Sequence, residues 1–207
     1  MNKYLNIFIL IRTSGRPTFF KNMMDSVRSQ TYRNLFTIVH SDNMEDTYLE
    51  GDIIIRGEKY PSEAGTFPAN LYCNRLMDAI PDSNSWYFFL DDDDKIHSPD
   101  SIERAIDLSL QDHINVTKAI WKDTADPRII RIFPDDYHGK ITTFSTGCFI
   151  LHSKYKDKAR WWADCCGDLN YTSKLNLPIN WIDVIMQEQQ ISKGYGKKEK
   201  EYMGEPN

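Results

Sequence analysis

The chain has 207 residues, 41% hydrophobic, 13% aromatic and 27% charged, which suits one globular domain on a prior of about 150 residues per domain and excludes a disordered, collagenous or coiled-coil chain. Twenty-five lysines and arginines stand against 30 aspartates and glutamates, a formal net charge of -5, so no global charge draws it to a nucleic-acid backbone or an anionic membrane. No apolar run approaches the roughly 20 residues of a membrane span, and Cys73, Cys148, Cys165 and Cys166 lack C-x-x-C spacing, so free thiols and a soluble cytoplasmic protein are expected.

Residues 5–11 are almost continuously apolar, the pattern of a strand covered on both faces. The stretch is too short, and too directly continued into Arg12, for a signal peptide. It ends in the polar turn Arg12-Thr13-Ser14-Gly15-Arg16-Pro17. Pro17 suits a first helical turn, where its missing N–H has no partner to lose. Phe19, Phe20, Met23, Met24 and Val27 then recur at helical spacing. Residues 35–39 form a second strand that ends in His40-Ser41-Asp42-Asn43, completing a βαβ unit with a right-handed crossover. A third apolar run covers 53–55, a Gly/Pro loop 57–68, and a helix with a Cys73, Leu76, Met77, Ile80 stripe 69–80. Residues 86–90 read as a buried strand that runs straight into Asp91-Asp92-Asp93-Asp94. A helix over 99–110 follows, with Ser98 as its cap.

The second half is less regular. Strands are expected at 114–121 and 129–133, paired as a hairpin around 123–127, and at 146–152. Helices are expected at 153–166 and 168–175, and a mobile charged tail over 193–207. Strands alternating with helices, then a mixed region, describe an α/β fold.

The acidic run is the most informative segment. Taken alone, four aspartates describe a solvated loop. These, however, close an intensely apolar strand, and the carboxyl edge of an open α/β sheet is where ligands bind. Carboxylates about 4 Å apart repel by about 4 kcal/mol at an effective dielectric near 20, a penalty that a divalent cation relieves. Oxygen donors favour Mg2+ or Mn2+ over Zn2+, and neither register of the run supplies the Gly and Glu of a calcium EF-hand loop.

Three stretches then occur in order: residues 9–17 with Ser26-Val27-Arg28-Ser29-Gln30-Thr31-Tyr32; Val39-His40-Ser41-Asp42-Asn43; and Phe89-Leu90-Asp91-Asp92-Asp93-Asp94 with Pro99 beyond. Together they resemble a family 2 glycosyltransferase: its opening strand, nucleotide loop and S-x-x-x-Q-T-Y helix end, its strand-end aspartate, and its D-x-D metal motif. The resemblance implies a GT-A type, Rossmann-like mixed sheet flanked by helices, a single domain over 1–192 with a nucleotide-binding half (1–98) and an acceptor-side half (99–192). It implies transfer of a sugar from a nucleoside-diphosphate donor, a UDP-sugar, to a hydroxyl acceptor such as a glycan, with inversion and with Mn2+ or Mg2+ as cofactor. By the same resemblance Thr13 and Arg16 contact the nucleotide, and Asp42 accepts from the uracil imide. Asn70 and Asn74, at i,i+4 on one helix face, meet the nucleotide or sugar, and Asp91 and Asp92 lie on the donor side. Asp93 with Asp94 ligates the metal, and Asp168 after Gly167 is the general base.

Plainer roles stay open for each. Asp42 also suits an Asx turn, Asp168 a helix N-cap, Asn70 and Asn74 solvated helix positions, and Arg16 a surface ion pair. Trp161-Trp162 is read as core packing rather than a sugar platform, and His152 as structural. With no later histidine, Lys193, Lys197 and Lys198 are the candidates to reach the diphosphate. Two other classes remain: a sugar nucleotidyltransferase, which wants a richer glycine loop than residues 12–17 supply, and a non-catalytic nucleotide-sugar binder. The length is short for the family, which leaves open a missing acceptor lobe or an oligomer.

Overall fold

The computed structural model describes residues 5–61, 66–122, 130–133, 146–164 and 166–190. Nine strands, β1 (Ile7–Thr13), β2 (Leu35–Ser41), β3 (Ile53–Arg56), β4 (Trp86–Asp91), β5 (Asp94–Ile96), β6 (Ile114–Lys122), β7 (Ile130–Phe133), β8 (Phe149–His152) and β9 (Ile179–Gln189), share one sheet. Their order is β3-β2-β1-β4-β8-β6-β9-β5, with β7 paired to β6 outside this path. β3, β2, β1 and β4 are mutually parallel. Beyond β4 the pairing is mixed: β8 runs antiparallel to β4 and β6, β5 to β9, while β6 and β9 are parallel.

Four helices flank the sheet: α1 (Pro17–Arg28), α2 (Ala69–Asp78), α3 (Ser101–Leu108) and α4 (Gly167–Leu175). The nearly unbroken apolar run of β1 is explained by burial on both sides, because successive side chains of a strand point to opposite faces. Ile7, Ile9 and Ile11 pack with Phe20, Met23 and Val27 of α1, Ile102 and Ile106 of α3, and Ile182, Val184 and Met186 of β9. Phe8 and Leu10 face the other layer, with Cys73, Leu76 and Met77 of α2, Phe149 of β8, Trp161, and Tyr171 and Leu175 of α4. The chain builds outward from β1 through β2 to β3, then returns to place β4 on the opposite flank of β1. That reversal opens a crevice at the carboxyl ends of β1 and β4.

The Ser26–Tyr32 motif is a structural clasp. Gln30 donates to the carbonyls of Ser26 (3.1 Å) and Ser98 (2.9 Å) and accepts the Ile102 N–H at the start of α3 (3.3 Å). The Thr31 N–H meets the Pro99 carbonyl (2.8 Å), and the Tyr32 hydroxyl the Leu5 carbonyl (2.7 Å). The first turn of α3 thus takes a partner from the segment just after α1. Ser98 is not its cap: the helix starts at Ser101, and the Ser98 hydroxyl donates to Asp100.

The second half corrects several expectations. The helix expected over 153–166 is not formed: after a single 3-10 turn, Ser153–Tyr155, residues 156–164 are turns and irregular chain. Its backbone bonds elsewhere, with the Ala163 carbonyl taking the Phe67 N–H (3.1 Å) and Asp164 bridging Thr66. Trp161 is buried among aromatics, stacked on Tyr171 at 4.7 Å. Trp162, one residue along and facing the other way, is 60% exposed beneath the Lys174 ammonium, so only half of the tryptophan pair is core. The strand expected over 146–152 begins at Phe149 after a 3-10 turn. β5 and the eleven-residue β9 complete the sheet where no strand was expected. The centre of the expected hairpin (123–127) and the tail 193–207 lie outside the described residues. Cys73, Cys148 and Cys166 are free thiols. Among the described residues no helix is long and apolar enough to cross a membrane.

Candidate functional site

The crevice is built from strand ends. Arg12 and Asp91 are register partners on the parallel pair β1/β4, and the guanidinium grips the carboxylate with two bonds, Nε–Oδ1 2.7 Å and Nη2–Oδ2 2.6 Å. Bidentate charge-assisted pairs of this kind are among the strongest hydrogen bonds in proteins. Burial alone would lower the Arg12 pKa, but Asp91 beside it more than offsets this and holds the guanidinium charged.

The next carboxylate, Asp92, is buried between the two donors of the glycine turn. The Thr13 hydroxyl donates to its Oδ2 at 2.7 Å and Arg16 Nη1 to its Oδ1 at 2.8 Å. Arg16 also lies 3.2 Å from Asp93. Burial nevertheless pushes Asp92 up to about 7, against the pull of Arg16 and with the repulsion of Asp93 added. Asp93 is raised by burial and by Asp91, and Asp94 well above the ordinary range by burial and then by the other three aspartates. The Asp94 side chain has no hydrogen-bond partner among the described residues. The run is therefore a crowded anionic turn whose built-in counter-cations, Arg12 on Asp91 and Arg16 on Asp92 and Asp93, cover only part of the charge.

The turn is braced by the residue that follows β9. Gln190 Nε2 lies within hydrogen-bond reach of the carbonyls of Phe19 (3.0 Å), Asp92 (2.9 Å) and Asp94 (3.2 Å), and its backbone N–H donates to Asp93 (2.7 Å). A second brace carries the loop after β1. Asp46, buried, accepts from Ser41 Oγ (2.6 Å), Asn43 Nδ2 (2.7 Å), Tyr48 Oη (3.0 Å) and the Gly15 N–H (3.1 Å). Gly15 has φ 64°, a left-handed backbone that favours glycine. The Tyr48 hydroxyl also meets Thr13 Oγ1 (2.9 Å) and the Arg16 N–H (3.1 Å). Arg12, Asp46, Tyr48 and Gln190 were missed in the sequence. The one available signal was a charged residue, Arg12, directly after an unbroken apolar strand.

Asp42 follows the last residue of β2. Its Oδ2 accepts the Tyr72 hydroxyl at 3.1 Å, while Oδ1 is shielded from solvent and has no partner among the described residues. An Asx turn leaves no such orphan; a buried acceptor without a donor costs about 1–3 kcal/mol.

Asn70 and Asn74 do share one face of α2, as their spacing predicts, but that face meets residues 161–164. Asn74 donates to the Trp161 carbonyl (3.0 Å) and accepts its N–H (2.9 Å). Asn70 donates to the Asp164 carbonyl (2.8 Å). Both amides are thus bonded to the backbone of residues 161–164 rather than left as solvated helix positions. A Cβ on Gly167 would collide with the Asn70 amide, which accounts for glycine at the start of α4.

Asp168 lies in the first turn of α4, whose N-cap is Cys166, so it is not the cap. Its Oδ1 accepts the Leu169 N–H (2.8 Å). Burial raises its pKa; Arg12 lowers and Asp164 raises it, which puts Asp168 within electrostatic reach of the Arg12–Asp91 end of the crevice. Asp164, also missed, accepts the Asn170 amide at Oδ2 (2.6 Å) and keeps Oδ1 buried without a partner among the described residues. His152 stays structural, edge-on to Trp86 at 5.2 Å. Lys193, Lys197 and Lys198 lie outside the described residues.

Whether the acidic turn suits a divalent cation rests on its donor set. Asp93 and Asp94 offer hard oxygen donors whose mutual repulsion Arg16 relieves only in part, a donor set that suits Mg2+ or Mn2+. Among the described residues no group of three or more His, Cys, Asp or Glu side chains forms a ready-made site, so the remaining ligands would come from diphosphate oxygens and water.

By sequence, the chain matches no protein-family model and no curated protein. Its structure matches TarS of S. aureus with a TM-score of 0.65 at 14% identity, over 91% of this chain and 37% of TarS. A structure of TarS 1-349 in complex with UDP gives 0.65 at 14% identity, over 90% of this chain and 61% of that one. The mannosyltransferase PcManGT from Pyrobaculum calidifontis, in complex with GDP-Man and Mn2+, gives 0.59 at 12% identity, over 92% and 59%. The chain thus spans between about a third and three fifths of the length of these structures. At such identities the likeness is one of fold: this chain has a GT-A type, Rossmann-like mixed sheet flanked by helices.

Proposed function

We propose that this chain is a glycosyltransferase that moves a sugar from a nucleoside diphosphate, UDP, to a hydroxyl acceptor with inversion. The observation that carries the reading is the grouping of an orphan acceptor on Asp42 and the anionic turn Asp91–Asp94 at the carboxyl ends of β2 and β4, with the raised carboxylate of Asp168, on α4, within electrostatic reach of Arg12. The fold shared with a UDP complex and a GDP-Man complex supports the donor class.

In this reading Asp42 Oδ1 accepts the N–H of the base. Thr13 and Arg16, already fixed against Asp92, face the nucleotide, and Asp91, held rigid by Arg12, orients the ribose or sugar hydroxyls. Asp93 and Asp94 would hold a Mg2+ or Mn2+ ion, which would supply positive charge against the charge that grows on the departing diphosphate. Asp168, with Oδ1 occupied by the Leu169 N–H, presents Oδ2 to the acceptor hydroxyl. It takes that proton as the acceptor oxygen bonds to the anomeric carbon. The bond from that carbon to the diphosphate oxygen breaks, its electron pair leaves with UDP, and one displacement inverts the configuration.

UDP release from a panel of UDP-sugars, with and without Mn2+ and with glycan acceptors, tests this. Acceptor-dependent release supports it; UDP binding without release from any donor makes the chain a binding protein. The second reading has its own support, since Arg16 already compensates Asp92 and Asp93 internally.

A further inference from the structure

The hydroxyl of Tyr72 is committed in both directions. It accepts the backbone N–H of Tyr60 at 3.0 Å, so its one proton goes to Asp42 Oδ2, 3.1 Å away. The ring cannot swing aside: it is buried between His40, stacked at 4.5 Å, and Tyr60, stacked at 5.2 Å, with the Arg75 guanidinium 4.5 Å over Tyr60. Burial also pushes Tyr72 up to about 12, which keeps the phenol protonated near neutrality. Asp42 consequently has one oxygen engaged and one, Oδ1, shielded and without a partner among the described residues.

We infer that Tyr72 sets the base specificity of Asp42, by engaging Oδ2 so that a single acceptor, Oδ1, is offered to the nucleotide base. The inference rests on the reading of Asp42 as the base-recognition residue. Uracil presents one imide N–H between two carbonyls. A single acceptor matches it, and a second free carboxylate oxygen would face carbonyl lone pairs. Guanine presents two adjacent N–H donors, which want both oxygens of a carboxylate. Discrimination then comes from the donor that guanine leaves unpaired, the costly half of an unmade hydrogen bond. Tyr72 is a positioning residue here: it touches Asp42, not the base.

Calorimetric titration of the full chain with UDP, GDP and CDP in the presence of Mn2+ tests this. The wild type binds UDP at least about tenfold more tightly than GDP. In Tyr72→Phe the stacked ring stays, Oδ2 is freed, and the UDP:GDP ratio falls by about tenfold. Equal weakening of both nucleotides, with the ratio unchanged, marks a merely structural role and overturns the inference. Asp42→Asn provides a check that spares Tyr72. Its amide oxygen takes the Tyr72 proton and its NH2 faces the base, so CDP, whose ring nitrogen is an acceptor, gains on UDP; a retained UDP preference overturns the inference. Wild-type preference for GDP refutes the inference and leaves the glycosyltransferase reading standing. No binding of any nucleotide refutes both.

Discussion

At the ends of β1 and β4 side chains are held by charge, Arg12 on Asp91 and Arg16 on Asp92 and Asp93, whereas between α2 and α4 the positions are set by neutral amides, Asn70 and Asn74 on the backbone of residues 161–164. The two arrangements respond to different perturbations. Charge-assisted bonds are roughly twice as strong as neutral ones, and the groups that make them answer to protons, salt and cations. An amide bonded to backbone is indifferent to all three, but it demands shape, as the contact of Asn70 with Gly167 illustrates. In the proposed function, a donor side carrying phosphate charge would suit the first arrangement, and an acceptor side that must place one carboxylate the second.

Substitutions at the two sides should therefore fail differently. The largest expected effect is on the charged side. Asp93→Asn lowers sugar transfer by about 10³-fold or more while the melting temperature stays near the wild-type value, because the lost charge relieves repulsion with Asp91. Transfer at the wild-type rate in that variant ends the assignment of Asp93. Next comes the base. Asp168→Asn lowers kcat by about 10²–10⁴-fold with donor binding intact. Because burial raises the Asp168 pKa, the acid limb of the wild-type rate profile lies at higher pH than for an ordinary aspartate: activity rises as the carboxylate ionises and is lost as pH falls.

On the amide side the effect is on stability. Asn74→Ala strands both the N–H and the carbonyl of Trp161, at a cost of about 2–4 kcal/mol. Urea denaturation reads this as a lower midpoint, and UDP affinity is unchanged. A loss of UDP binding with unchanged stability would reverse the contrast and return Asn74 to the nucleotide.

The smallest effect belongs to His40. Burial lowers its pKa from 6.5 to about 4, with Arg75 acting in the same direction and Asp42 opposing. Between those values the unfolded chain binds the proton and the folded chain does not, so the His40 contribution to stability is full above pH 6.5 and declines as pH falls toward 4, by on the order of 2 kcal/mol. Asp92, Asp93, Asp94 and Asp168, all raised, act with the opposite sign. The difference between wild type and His40→Phe, which keeps a ring against Tyr72, isolates it in thermal melts across that range. A difference that does not vary with pH rejects the assignment.

The donor half was largely legible because its signals are local. An apolar run such as Ile7–Ile11 or Trp86–Leu90, followed at once by polar residues, describes a strand buried on both faces and its functional end. Even there, sequence located Thr13 and Arg16 without revealing that both are tied to Asp92. β9 carried a readable period of two, Ile182, Val184 and Met186 buried against exposed Trp181 and Asp183. The acidic run hid β5, whose strand character comes from pairing with residues 187–189.

The amino-acid order alone thus determined the α/β class, the polar ends of the buried strands and the acidic turn at one of them, since periodicity and strand ends depend only on near neighbours along the chain. Tertiary structure alone decided that residues 153–164 are not a helix, that Asn70 and Asn74 bond the backbone of residues 161–164, and that Asp42 keeps one oxygen unmatched among the described residues. Each of those outcomes is set by hydrogen-bond partners distant in sequence, whose competition for the same donors and acceptors is resolved only once the sheet has assembled.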